Sequence, residues 1–150
     1  MRNKQEKKQL QEAALVRGRR SLFGIYQLKE DKTDYFFAGS KELRARGLEV
    51  HGGNYELMYT APLRFADTLD GIYERFNLNR PEDFTGHSLS VGDIIVRNQN
   101  GRVSARFVDT FGFGQLPEFI NEIRSANPLR VVDELDALKP GDMVRLSSGM

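Results

Sequence analysis

The sequence has no cysteine, only two histidines, and no apolar run approaching the ~18 residues of a membrane-spanning helix. Without thiols there can be no disulfide and no thiolate-bound metal, so the core must hold without staples and a reducing compartment is favoured. The basic N-terminus is not followed by the apolar segment of a secretory signal, which makes the cytoplasm the expected location. Two histidines without close helical or HExxH spacing make a poor metal set, and neither a metal nor another cofactor is expected. No Gly-x-Ser-x-Gly occurs either, so the sequence lacks the mark of a nucleophile elbow.

What is present fits one globular domain. At 150 residues, with 39% apolar and 29% charged side chains, the chain is long enough for a core of its own. The charge is unevenly placed. Residues 1–20 carry seven basic side chains against two acidic ones, a balance of +5, whereas the other 130 carry 15 basic and 19 acidic, a balance of −4. A basic extension therefore precedes a mildly acidic body.

Three parts follow from the pattern. Residues 1–20 read as a basic helical extension whose stripe of Leu10, Ala13, Ala14 and Arg17 looks too thin to dock. A solvated, partly frayed segment is the expectation, and its removal should leave the melting temperature nearly unchanged. Residues 21–124 read as the body and residues 125–150 as a strand-and-turn appendage packed on it. In the body, residues 21–29 are apolar on both faces and form a central strand. Residues 35–37 resume extended structure, and Ser40 caps a short helix over residues 41–46 that Gly47 ends. Residues 55–60 alternate, which places Tyr55, Leu57 and Tyr59 on one face. Leu69, Ile72, Tyr73 and Phe76 recur at helical spacing behind Asp67 or Thr68 as cap, as do Leu116, Phe119, Ile120 and Ile123 in a helix that tolerates Pro117 in its first turn.

The most strongly patterned stretch is 83–113. Ile94, Ile95 and Val96 lead into Asn98-Gln99-Asn100-Gly101, and Val103, Ala105 and Phe107 alternate on the return, which is an antiparallel hairpin. The fold class is therefore α+β: a twisted, mostly antiparallel sheet of about five strands, two or three helices packed on one face, and the basic N-terminal helix. The core should contain Phe23, Ile25, Leu57, Tyr59, Leu69, Ile72, Phe76, Leu89, Ile94, Val96, Phe107, Phe119 and Ile123.

Candidate site residues come from the same stretch and from the N-terminus. His87 lies near Ser88, Ser90 and Asp93, with Asp109 on the returning strand; a backbone-bonded turn histidine is favoured over a catalytic one. Phe111 and Phe113 alternate with Gly112 and Gly114, and read as core, or as a partner site if exposed. Arg97, Arg102 and Arg106 flank the hairpin at solvent positions. With Arg17, Arg19 and Arg20 they could form a basic stripe that grips phosphate, or simply a solvated face.

Several spaced segments carry a resemblance. They are Asn54-Tyr55-Glu56-Leu57-Met58-Tyr59-Thr60-Ala61-Pro62-Leu63, Ile72-Tyr73-Glu74-Arg75-Phe76-Asn77, Gly86-His87-Ser88-Leu89-Ser90-Val91-Gly92-Asp93 and Val108-Asp109-Thr110-Phe111-Gly112-Phe113. In this order they resemble the YodL-like family, over about two thirds of the chain. The resemblance implies a small α+β module of Firmicutes, often carried by conjugative elements or phages, with no enzymatic activity established for the group. The family's namesake is linked to interference with the actin-like cytoskeleton, and accessory proteins of such elements include anti-restriction and anti-CRISPR inhibitors. The expected function is thus a non-catalytic protein-binding accessory protein of a mobile element. It would act on a host protein or ribonucleoprotein, such as a defence nuclease or a cytoskeletal protein. The alternative is a nucleic-acid-binding accessory protein that uses the basic N-terminal helix and the hairpin arginines.

Overall fold

The computed structural model describes residues 3–129. The chain runs α1 (Lys4–Arg17), β1 (Leu22–Leu28), α2 (Ser40–Ala45), β2 (Tyr55–Pro62), α3 (Leu69–Leu78), β3 (Ile94–Gln99), β4 (Arg102–Val108), β5 (Phe113–Gln115) and α4 (Pro117–Ala126). Single 3-10 turns occupy Thr33–Tyr35 and Gly52–Asn54. The five strands make one antiparallel sheet in the order β2-β1-β3-β4-β5, so the class is α+β as the pattern implied.

The β3–β4 hairpin forms as its turn chemistry requires. Asn100 at φ 54° and Gly101 at φ 95° are both left-handed, the pair of conformations that matches a two-residue connection to the right-handed strand twist. Direct pairs run from Ile94 with Phe107 to Gln99 with Arg102, so opposite residues share a face.

Helices cover both faces of this sheet instead of gathering on one. α1 and α4 close one face over Leu22, Tyr26, Leu57, Ile94, Val96, Ala105 and Phe107. On the other, α3 brings Ile72 and Phe76 onto Phe23, Ile25, Ile95 and Val108. The cause is β1, whose seven residues are all buried except the half-buried Leu28; a strand apolar on both sides has to be covered twice. A bulge sets the faces of β2. Ile25 pairs with Tyr59 and Tyr26 with Leu57, which leaves Met58 unpaired. One extra residue turns Tyr59 over to the α3 side, away from Tyr55 and Leu57. The single face expected for those three is corrected accordingly.

α1 is no frayed extension. Leu10, Ala13, Ala14, Leu15 and Val16 are all buried, Leu15 and Val16 completely. The expected stripe missed Leu15 and Val16, which widen the apolar face enough to dock. Gly24 makes the close approach possible, since a Cβ there would collide with Leu15 Cδ2 and stand 3.0 Å from Leu57 Cδ1. Side chains from the sheet and α4 accept the helix end: Asn98 Nδ2 donates to Leu15 O at 3.0 Å and Gly18 O at 2.8 Å, and Arg124 Nε donates to Val16 O at 2.9 Å. These bonds satisfy carbonyls that a helix C-terminus otherwise leaves bare. Tyr26 adds a hydroxyl bond to Glu12 at 2.8 Å, and burial with that carboxylate pushes its pKa well up.

Three smaller expectations also change. Residues 35–37 form no strand: Tyr35 ends a 3-10 turn, Phe36 alone is extended, and Phe37 has a left-handed φ of 57°. Leu69 is half-buried at the margin of the core. Phe111 is exposed at the β4–β5 turn, because Gly112 at φ 72° folds the chain back there, while Phe113 returns in β5 to pack beside Tyr73. Of the appendage expected over 125–150, residues from 130 onward lie outside the described ones. Before them, buried Asn127 ties the end of α4 to α1 by donating to Gln9 O and Glu12 Oε1, both at 2.9 Å.

Candidate functional site

At the end of the sheet where β1 leaves and β3 enters, Leu28, Glu30, Phe36, Phe37, His87, Ser90, Val91 and Asp93 line a cavity of about 230 Å³. Its surface is mainly apolar. Phe36 and Phe37 stand edge to face, 6.2 Å between centroids, and are 36% and 68% exposed. Two large rings held at the rim of a cavity are unusual enough to need a structural reason.

That reason lies in how the 36–40 loop is fixed. Ala38 is buried in the α1/α4-side core, and Gly39 lies so close to Asp109 and Thr110 that a Cβ would collide with Thr110 Oγ1. Asp109 accepts from the Ser40 amide at 3.0 Å and the Ser40 hydroxyl at 2.5 Å, which fastens the start of α2 to the end of β4. Partial burial alone would raise the Asp109 pKa, but the Ser40 and Thr110 bonds and the Arg44 charge outweigh it and hold the carboxyl below its ordinary range. Phe37 takes its left-handed backbone between these fixed points. For a bulky residue that conformation costs on the order of 1–3 kcal/mol, so the surroundings impose it.

Behind the cavity lies a buried polar cluster. Gln27 and Asp93 are 2% and 3% exposed. Gln27 Nε2 donates to Asp93 Oδ2 at 3.0 Å and to His87 O at 2.9 Å, which uses both amide hydrogens. His87 Nδ1 lies 3.2 Å from the same nitrogen and 2.7 Å from Ser88 O, so Nδ1 carries a proton toward Ser88 O. In the neutral ring Nε2 is then the open acceptor. The Ser90 amide also donates to Asp93 Oδ2 at 3.0 Å, and Tyr55 spans the core to donate to Gly92 O at 2.6 Å. Burial pushes the Asp93 carboxyl up to about 6, against the opposing pull of Ser90, Gln27 and His87.

The residues singled out from sequence fall into separate places. His87 lies on the cavity, exposed on one side and backbone-bonded on the other. Asp109 is bonded to Ser40 and Thr110, not to His87. Arg17 is engaged internally, donating to Arg124 O at 2.7 Å and Asn127 O at 3.2 Å. Arg19 is exposed and Arg20 half-buried. Arg97, Arg102 and Arg106 come together on one face of the hairpin, but only Arg102 is at the solvent position expected, since Arg97 and Arg106 are half-buried against the sheet; Phe111 projects alone from its turn. Sequence reasoning missed Phe36, Phe37 and Gln27. A glutamine inside the apolar run of β1 was the available signal, since a buried amide must find partners.

Comparison with known proteins follows the same outline. The YodL-like domain family model matches residues 22–119, and the chain belongs to that family. The match spans β1 to the start of α4, so the whole sheet and the cavity lie inside it, while α1 packs onto it from outside. No curated protein and no solved structure matches the chain. Among the described residues, no group of three His, Cys, Asp or Glu could hold a metal ion, and no helix is long and apolar enough to cross a membrane.

Proposed function

We propose that the chain is a non-catalytic protein-binding module, an accessory protein of a mobile genetic element that occupies a host macromolecule. The observation that supports this reading is the pair Phe36 and Phe37, held exposed over an apolar cavity by a backbone that takes a strained conformation to do so. At about 230 Å³ the cavity is smaller than the roughly 300–1,000 Å³ of sites that enclose drug-sized ligands and cofactors. It suits one apolar side chain of a partner protein, clasped by the two rings, with His87 Nε2 accepting a hydrogen bond at the rim. Aromatic anchors around a desolvated pocket are the usual centre of a protein interface.

The test compares the wild type with Phe37→Asn as baits in a bacterial lysate, with and without nuclease and at two salt concentrations. Asparagine tolerates the left-handed backbone, so the variant should fold at least as well while losing its ring. The reading requires a discrete protein that survives nuclease and salt on the wild type and is lost from the variant. A protein held equally by both would place the interface elsewhere. Recovery of nucleic acid alone would displace this reading in favour of a nucleic-acid-binding accessory role.

A further inference from the structure

The α3-side face of the sheet changes character along β3 and β4. Ile95 and Val108 lie under α3, and the remaining inward-to-outward positions on that face are Arg97, Ser104, Arg106 and Arg102. Arg97 pairs directly with Ser104, and Arg102 and Arg106 flank Ser104 two residues away on either side. Diagonal neighbours of this kind stand about 7–8 Å apart, close enough for long arginine side chains to converge on one anion or on adjacent ones. The neighbouring positions Gln99 and Gln115 carry amides, which bond to anions without adding negative charge.

Among the described residues none of the three arginines has a carboxylate partner, although ion pairs form elsewhere, as at Lys8–Glu56 and Arg64–Asp67. Arg97 Nε is buried and, among the described residues, has no hydrogen-bond acceptor. A shielded guanidinium nitrogen without a partner is costly in the free protein and becomes favourable once an anion supplies the acceptor. Burial, and then the Arg106 charge, lower the pKa of Arg97, as expected for like charges pressed together without a counter-ion.

We propose that this face, through Arg97, Arg102 and Arg106, binds the phosphodiester backbone of double-stranded nucleic acid without regard to sequence. Guanidinium forks match phosphate oxygens in pairs. The aromatic rings nearest on that face are committed to the core, Phe23 fully buried beside Arg97 and Phe113 packed against Tyr73, so the face offers no free platform for stacking unpaired bases, as single-strand binders do. The inference relocates phosphate contact. Arg17, the last basic residue of α1, donates to carbonyls of Arg124 and Asn127, whereas among the described residues no carboxylate pairs with the exposed Arg102 or the half-buried Arg97 and Arg106. It stands independently of the aromatic cavity, which lies at another end of the sheet.

The test is fluorescence anisotropy of the full chain with labelled DNA and RNA duplexes of about 20 base pairs, titrated between roughly 25 and 200 mM salt. Binding should fall with salt at a log–log slope of about −2 to −3, since each neutralised phosphate contributes about −0.9. Arg102→Gln/Arg106→Gln should weaken low-salt binding at least about tenfold and reduce the steepness of the slope by about 2, with an unchanged melting temperature. A Lys4→Gln/Lys7→Gln variant on exposed α1 positions should bind nearly as the wild type. Binding of DNA alone or RNA alone would still support the proposal and would identify the duplex. Absence of binding to both duplexes at the lowest salt overturns it. So does equal binding by the arginine variant, loss in the α1 variant, or tighter binding of a single strand of the same length.

Discussion

The two faces of the sheet solve opposite problems. Under α1 and α4, apolar side chains interlock and polar groups close on one another: Asn98, Arg124 and Asn127 each bond backbone carbonyls across elements, and Tyr26 bonds Glu12. On the α3 side, aromatic packing of Phe23, Tyr59, Phe76 and Phe84 covers only part of the surface, with edge-to-face centroid distances down to 5.1 Å. At the hairpin end of that face, among the described residues, Arg97, Arg102 and Arg106 have no carboxylate partner. A sheet buried on both sides at β1 but on one side at its β3–β4 end rests its folding on the closed surface and leaves the arginine-bearing surface open.

The largest effect that would test this division comes from the closed face. Leu15 is fully buried, sits against Gly24, and carries the contact that joins α1 to the sheet. Leu15→Ala should lower the stability by about 2–5 kcal/mol, read from urea unfolding followed by circular dichroism. A loss below about 0.5 kcal/mol would mean that α1 is dispensable after all, and the closed face would not be where the stability resides.

That prediction reverses what the amino-acid pattern suggested, and the reason is physical. Periodicity identified the central strand, the hairpin, both amphipathic helices and the α+β class, because each of those depends on local spacing. Docking of α1 depends on a partner 80 residues away, Asn98, and on a missing side chain at Gly24, neither of which leaves a mark within the helix. The Met58 bulge is similar: an alternating strand looks uniform in sequence until its neighbour fixes the register. As for the site, His87 and the hairpin arginines were visible as residue types. The rings of Phe36 and Phe37 were read as strand, since only the tertiary clamp of Asp109 on Ser40 explains a left-handed phenylalanine.

An intermediate effect belongs to the polar cluster at the junction of the two regions. Asp93 has a folded-state pKa of about 6 against an ordinary value of 3.8, so between these values the folded protein binds more protons than the unfolded chain. Stability therefore falls as pH rises from about 4 to 6 and is level above that, by an amount on the order of 3 kcal/mol. Asp93→Asn keeps an acceptor for Gln27 and Ser90 while removing the charge, and should flatten this part of the pH–stability curve. Chemical denaturation at pH 4, 5, 6 and 7 checks it. If the variant keeps the wild-type slope, another group owns the titration and the burial of Asp93 is not what raises its pKa.

The smallest effect is the most discriminating. Arg97 lies in the same hairpin as the buried Val96 and Asn98, so a purely structural view expects its replacement to hurt. Its guanidinium, however, has an unpartnered Nε and is repelled by Arg106. Arg97→Gln removes a charge that the free protein does not neutralise, and glutamine keeps the stem that packs on the sheet. The melting curve should be unchanged or slightly higher, within about 0.5 kcal/mol of the wild type. A loss as large as that of Leu15→Ala would make this arginine part of the core, and the open face would then differ from the closed one only in degree. An unchanged or raised stability would leave Arg97 with no role in holding the fold, which is what the anion-binding proposal for this face requires.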